Sequence, residues 1–141
     1  MPQLSILVPV YNEERTLARI MPAIAAACPG AEIVYVDDGS ADKSLEMLRS
    51  LARPQDRVIA AEHGGKGAAI RRGLQETHGD YTVIQDADLE YDPAEINMLL
   101  AEAVAHPGCA VFGSRFFGSG FFKKTPHIYT RFLLGNKVIG V

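Results

Sequence analysis

The feature that most restricts this chain is an alternation of two hydrophobic periods. Short apolar runs at Leu4 to Val10, Ile33 to Val36, Arg57 to Ala61, Tyr81 to Ile84 and Cys109 to Phe112 read as strands. Between them, apolar residues recur at helical spacing: Leu17, Ile20, Met21 and Ile24, then Leu45, Leu48 and Leu51. Ala69, Ile70 and Leu74 continue the pattern, as do Ile96, Leu99, Leu100 and Val104. Strands separated by helices form βαβ units, whose crossovers leave the strands parallel. The expected fold is therefore α/β, a mainly parallel sheet with helices on both faces. Pro22 is expected to kink or interrupt the first helix. Asp42 or Ser40 is expected to cap the second. His127 to Val141 reads as a further helix.

In such sheets ligands bind outside the carboxyl ends of the strands. Here the five strands end in Y-N-E, D-D-G-S, H-G-G-K-G, D-A-D and G-S-R. That many polar or glycine-rich ends on one edge point to an extended site for a phosphate-containing ligand. The most informative end is Y-T-V-I-Q-D-A-D-L-E-Y-D-P, residues 81–93. Side chains two apart in an extended segment point the same way. Asp86 and Asp88 can thus face one hard divalent cation, with water and phosphate oxygens completing its shell. The alternative is that these acids only cap the next helix, and Asp92-Pro93 has the form of such a start. An EF-hand is excluded, because Tyr91 and Asn97 stand where its Gly and Glu belong.

The other ends carry weaker signals. Asp37 and Asp38 can accept from a ribose hydroxyl or a base N–H, or Asp-Gly can simply make a tight turn. H-G-G-K-G is neither a Walker A loop nor a dinucleotide fingerprint. Lys66 at a helix N-terminus can still meet a phosphate, or be an exposed lysine in a flexible connector. Arg115 suits phosphate with its paired donors, or a surface ion pair. The four histidines have no metal-ligand spacing and read as structural or exposed. Ser40 and Ser114 lack His and Asp partners, which leaves a hydrolase triad unsupported.

Composition bounds the rest. The 141 residues, 48% hydrophobic, suit one domain with a modest core. Cys28 and Cys109 are far apart in sequence and read as reduced, structural thiols of a cytoplasmic protein. The N-terminus lacks the basic region of a signal peptide, and no apolar run is long enough to span a bilayer. Residues 1–113 hold 17 acidic and nine basic side chains, a net of −8, whereas residues 114–141 hold five basic and no acidic ones, +5. A basic end with many aromatics favours a membrane surface or lipid phosphate over a nucleic acid. An ordinary solvated face with core aromatics is the alternative.

Taken together and in order, S-I-L-V-P-V-Y-N-E-E, V-D-D-G-S-A-D, G-G-K-G-A-A-I-R-R-G, G-D-Y-T-V-I-Q-D-A-D-L-E-Y-D-P and F-G-S-R-F resemble inverting family-2 glycosyltransferases. The resemblance covers almost the whole chain and is greatest to the polyprenyl-phosphate branch, such as dolichyl-phosphate mannosyltransferases and bacterial relatives. It implies a GT-A (Rossmann-like) fold, with a donor core at 1–113 and an acceptor- or membrane-side segment at 114–141. Pro9, Tyr11, Glu13, Asp37, Asp38 and Gln85 would line the nucleotide-sugar pocket, with Lys66 near the donor. Asp86, Asp88 and Glu90 would hold Mg²⁺ or Mn²⁺ against the diphosphate. Arg115 and Arg131 would hold the acceptor phosphate, and Asp88 and Arg115 would carry the catalytic roles.

The implied reaction moves a sugar from a nucleoside-diphosphate sugar, GDP-mannose or UDP-glucose foremost, to a dolichyl or undecaprenyl phosphate. UDP-N-acetylglucosamine and a modified pentose are further donor candidates. The implied setting is the cytoplasm, with peripheral contact to the cytoplasmic face of a membrane. Family members normally run well past this length, so the resemblance implies a chain truncated at its C-terminus, inside the expected last helix. Two alternatives stay open: a family-2 transferase with a polysaccharide or protein acceptor, and a non-catalytic nucleotide-binding or membrane-docking fragment. A sugar nucleotidyltransferase fits less well, because Y-N-E-E stands where those proteins carry a glycine-rich loop.

Overall fold

The computed structural model describes residues 3–113 and 131–135. Six strands form one sheet: β1 Leu4–Val10, β2 Glu32–Asp38, β3 Arg57–Ala61, β4 Tyr81–Ile84, β5 Val111–Gly113 and β6 Arg131–Gly135, in the order β3-β2-β1-β4-β6-β5. β1 pairs in parallel with β2 on one side and β4 on the other, and β2 pairs in parallel with β3. Only β6 runs against the rest, antiparallel to both β4 and β5. The sheet is thus mainly parallel, as expected.

Alternation along β1 divides the core. Leu4, Ile6, Val8 and Val10 face α1 (Leu17–Ala27), α2 (Ser44–Leu51) and α4 (Ile96–Ala105), meeting Leu17, Ile20, Ile24, Leu48, Ile96 and Leu99. Leu7, Val34 and Val36 face the opposite way, onto Ala69, Ile70 and Leu74 of α3 (Lys66–Leu74). Both faces are therefore covered, the second by α3 among the described residues. That helix lies close to the sheet through Gly73. A Cβ there would sit 2.9 Å from Val36 Cγ2 and closer still to Leu7 Cδ1.

Pro9 ends one ladder. Tyr81 N–H donates to the Gln3 carbonyl and Gln85 N–H to the Leu7 carbonyl. Odd-numbered residues of β1 therefore turn their backbone groups toward β4. Pro9 is next in that row and has no N–H to give. The register with β4 stops at Leu7↔Ile84, whereas pairing with β2 runs on to Val10↔Asp37. Beyond Leu7 the chain after β4 is free to part from β1, at the point where strand order reverses.

Several expectations need correction. Pro22 does not end α1, which continues through it to Ala27. Pro22 and Ala18 both face solvent, where water can take the carbonyl that lacks its donor. Neither Ser40 nor Asp42 is the N-cap of α2; that position is Lys43, without a side-chain cap bond. The fifth strand begins two residues late, because Gly108 at φ +86° and a bond from Cys109 N–H to the His106 carbonyl keep Cys109 in a turn. Arg131–Gly135 is a strand instead of part of a helix. A short apolar run is ambiguous by periodicity alone, and here two flanking strands supply ladder partners. Cys28 is buried and Cys109 exposed, and both are free thiols. Among the described residues no helix is long and apolar enough to cross a membrane.

At the amino edge of the sheet, Ser5 Oγ donates to Glu32 Oε2 at 2.5 Å, and His78 N–H donates to the same oxygen at 2.8 Å. Burial alone would raise the Glu32 carboxyl, but the hydrogen bonds from Ser5 and His78 and the nearby imidazole hold it below the usual range. A carboxyl with a depressed folded pKa takes its proton more readily when unfolded. Its contribution is therefore whole above about pH 4.3 and is lost as pH falls through the folded value. Glu32→Gln should flatten the acid limb of stability against pH, measured by urea unfolding from pH 7 down to 3; an unchanged limb would count against this network. Gly73→Ala should cost ~1–3 kcal/mol by overpacking, despite the better helix propensity of alanine, in urea unfolding at pH 7.

Candidate functional site

The carboxyl edge carries a cavity of about 340 Å³. Pro9, Val10 and Tyr11 at the end of β1 form one wall, with Glu13 beyond them. Asp38 closes β2, His63 and Gly65 precede α3, and Lys66 and Ala69 lie on it. Asp86, Ala87, Asp88 and Glu90, after β4, form the facing wall. One cavity therefore gathers Pro9, Tyr11, Glu13, Asp38, Lys66, Asp86, Asp88 and Glu90 from four separate strand ends.

Two loops are laced together to make this possible. Asn12, at φ 55°, accepts the Ala41 N–H on its Oδ1 at 2.8 Å, and its own N–H donates to Ser40 Oγ at 2.9 Å. Glu13 N–H donates to Ser44 Oγ, and Lys43 N–H to Glu14 Oε2. Asp42 accepts from Ser44 N–H and Glu14 N–H. Much of Y-N-E-E and S-A-D-K-S thus serves to bind the β1–α1 loop to the β2–α2 loop. Thr16 Oγ1 donates to Glu13 Oε2 at 2.9 Å, which orients that carboxylate.

β2 extends through both of its aspartates, and neighbours in a strand face opposite ways. Asp38 therefore points to the α3 side and Asp37 to the other. Asp38 Oδ1 and Oδ2 accept the N–H groups of Gly64 and Gly65, each at 2.9 Å. Gly39, at φ +69°, permits this approach, since a Cβ there would lie 2.8 Å from His63 N. Asp37 is buried and is not among the cavity-lining residues. Its Oδ2 accepts the Ser40 N–H at 3.1 Å, and its buried Oδ1 has no hydrogen-bond partner among the described residues.

His63, expected to be structural or exposed, is half exposed, bonded to Asp38 and also in the cavity wall. Its Nδ1 lies 2.9 Å from Asp38 Oδ2 and 3.1 Å from the Asp38 carbonyl. Both partners only accept, so the proton sits on Nδ1. The ring stacks on Tyr11, with centroids 4.4 Å apart and planes 21° apart. The available signal was its place in H-G-G-K-G, at the same edge as Lys66.

Along residues 85–88, burial alternates. Gln85 and Ala87 point inward, and Asp86 and Asp88 are half-buried on the cavity side. The alternation in burial matches a two-residue repeat, although β4 ends at Ile84 and the chain bends from Ala87 on. Gln85 donates from Nε2 to the Asp86 carbonyl at 3.0 Å and supports the wall from behind. Lys66 Nζ meets Asp86 Oδ1 at 2.5 Å. Asp88 Oδ1 accepts the Glu90 N–H at 3.1 Å. Among the described residues no three of His, Cys, Asp and Glu are grouped to hold a metal ion, so Asp86, Asp88 and Glu90 do not form a closed three-ligand set. Asp92 caps the turn at Pro93–Glu95, as its sequence form suggested.

Arg115 lies outside the described residues. Arg131 opens β6 in register with Gly113, which puts its backbone at the same carboxyl edge. Five carboxylates line or close the cavity, against Lys66 and His63. An anionic ligand is opposed by that field unless a cation accompanies it. Hard carboxylate oxygens on Asp86 and Asp88 suit a small divalent cation whose remaining positions are filled by phosphate.

The family model described as glycosyl transferase family 2 matches residues 5–139. Undecaprenyl-phosphate 4-deoxy-4-formamido-L-arabinose transferase of Pseudomonas fluorescens is 40% identical over 107 residues, covering 70% of this chain and 32% of the relative. The protein of the same name in Edwardsiella ictaluri is 41% identical over 107 residues, covering 70% and 33%. The chain thus spans about a third of the length of these relatives. Among solved structures, glucosyl-3-phosphoglycerate synthase of Mycobacterium tuberculosis, in complex with Mn²⁺, UDP-glucose and phosphoglyceric acid, superposes with a TM-score of 0.66 at 25% identity, covering 77% of this chain and 42% of that one.

Asp38→Asn removes one of two carboxylate acceptors for the glycine loop. It should cost ~1–2 kcal/mol and speed amide exchange at Gly64 and Gly65. Hydrogen exchange followed by NMR checks this, and unchanged protection at both glycines would contradict the clasp.

Proposed function

The chain belongs to glycosyl transferase family 2, and from that premise we propose that it forms the donor-binding part of a sugar transferase acting on a polyprenyl phosphate. The observation that carries this reading is the cavity at the strand-order reversal, where the D-A-D carboxylates meet Lys66. The donor is a nucleoside-diphosphate sugar. A uridine nucleotide is favoured over a guanosine one, because the neighbouring synthase was crystallised with UDP-glucose. The curated relatives, named for transfer of a modified arabinose to undecaprenyl phosphate, favour a lipid phosphate acceptor and keep a modified pentose in view.

In this reading each wall has a task. Tyr11, backed by His63, offers an aromatic face to the base. Asp37 stands behind the lining, and its Oδ1 would meet a base N–H or ribose hydroxyl only if the loop after β2 moved aside. Glu13 and Asp38 shape the pocket, and Gln85 holds the Asp86 backbone in line. Asp86 and Asp88 would hold Mg²⁺ or Mn²⁺, and Glu90 would reach it through water. When bound, that ion supplies charge neutralisation at the leaving diphosphate.

The acceptor phosphate oxygen attacks the sugar C1 as the bond from C1 to the diphosphate oxygen breaks, with inversion. A nucleoside diphosphate leaves. The attacking oxygen is already anionic, so no general base is needed. Arg115 and Arg131 would hold the acceptor phosphate. Arg131 is supported by its position at the carboxyl edge. The basic end of the sequence would sit against the cytoplasmic face of a membrane.

Calorimetric titration with UDP and GDP, with and without Mn²⁺, tests the reading. UDP should bind only with metal, and Asp86→Ala/Asp88→Ala should weaken it at least about tenfold, the loss expected when charged ligands of this kind are removed. Metal-independent binding, or binding unaffected by the double variant, would sink the donor-site proposal.

A further inference from the structure

The ion pair between Lys66 and Asp86 sets a condition on that site. Lys66 Nζ rests on Asp86 Oδ1. An ammonium and a divalent cation cannot share one carboxylate oxygen without strong like-charge repulsion at contact distance. Lys66 is the one lysine or arginine lining the cavity among the described residues. The other wall carboxylates are engaged differently. Asp38 spends both oxygens on Gly64 and Gly65, and Asp88 spends Oδ1 on the Glu90 N–H. Asp86 holds the Lys66 ammonium.

The backbone and side chain of Lys66 behave differently. Its Cα is fixed, since it is the first residue of α3 and follows the two glycines clasped by Asp38. Its side chain is 59% exposed and can swing about its flexible stem. A diphosphate entering the cavity offers the ammonium a stronger anion than one carboxylate.

We infer that Lys66 is an internal counter-ion that occupies Asp86 until a nucleoside diphosphate draws it away, and that it thereby couples metal binding to donor binding. The inference rests on the donor-site reading above and deepens it. Before donor arrives, Lys66 competes with the metal for Asp86. After donor arrives, the ammonium moves to the phosphates and the carboxylate is released. By linkage, whatever factor the nucleotide adds to metal affinity the metal adds to nucleotide affinity. Direct bonds between metal and phosphate also produce cooperativity. They do not predict any change in metal affinity without nucleotide, so that quantity isolates the lysine.

The test is Mn²⁺ titration of the 141-residue chain, following free Mn²⁺ by electron paramagnetic resonance, first alone and then with saturating UDP. Wild type is compared with Lys66→Met, Lys66→Gln and the charge-preserving Lys66→Arg. Without nucleotide, the Met and Gln variants should bind Mn²⁺ roughly three- to tenfold more tightly, the range for losing a partly exposed ion pair and its repulsion of the metal. Lys66→Arg, which keeps the charge and grips a carboxylate more firmly, should bind Mn²⁺ no more tightly than wild type. UDP should strengthen Mn²⁺ binding less in the Met and Gln variants than in wild type. Equal or weaker nucleotide-free Mn²⁺ binding by both neutral variants overturns the inference, while metal-dependent UDP binding by wild type leaves the donor site standing. Absence of Mn²⁺ binding to wild type with either UDP or GDP overturns both.

Discussion

The absence of a backbone donor at Pro9 governs the layout of this molecule. β1 is buried on both faces and paired on both edges, but its ladder to β4 stops where the next donor in the row would be. The strand itself continues beside β2 for three more residues. A crevice therefore opens between the end of β1 and the chain leaving β4. Every side chain with chemistry in the cavity borders that opening or is held toward it.

The motif residues divide into those that face the cavity and those that hold it open. Asn12, Glu14, Ser40, Asp42 and Ser44 exchange hydrogen bonds between two loops. Asp38 does the same for the glycine loop, with its side chain only 4% exposed. These groups are polar because they replace lost backbone partners at strand ends, where regular pairing has finished. Loops pinned this way can present Tyr11, Lys66, Asp86 and Asp88 on fixed backbone. Preorganisation of this sort comes from many ordinary hydrogen bonds, each worth about 1 kcal/mol.

The elements were legible because their periods are strong and their partners local. β1 to β4 and the four helices follow directly from apolar spacing, and the alternation in burial around D-A-D follows a two-residue repeat. What escaped depends on tertiary partners. Arg131–Gly135 is a strand because β4 and β5 flank it, which its own five residues do not encode. Asp37 and Asp38 read as one unit until β2 is seen to extend through both, which sends them to opposite faces. His63 read as structural or exposed, but which groups it would join was hidden, because Tyr11 and Asp38 lie far away in sequence. Pro22 is tolerated for a reason only the folded helix supplies, namely that it faces water.

The charge of the cavity joins these observations. Glu13, Asp38, Asp86, Asp88 and Glu90 make it a poor host for a lone anion and a good one for a cation. A nucleoside diphosphate is nevertheless the ligand proposed above. The two are compatible if negative charge on the wall selects the metal complex of the ligand over the free anion. The same field explains why a lysine belongs there. Asp86 and Asp88, close together on one wall, repel each other, and a single ammonium on Asp86 relieves that repulsion while the cavity holds no divalent cation. Arginine would hold a carboxylate with two parallel bonds and release it less readily, whereas lysine is a compact charge on a flexible stem. If Asp86 must be released when a metal-bound donor enters, as proposed, the second is the better fit.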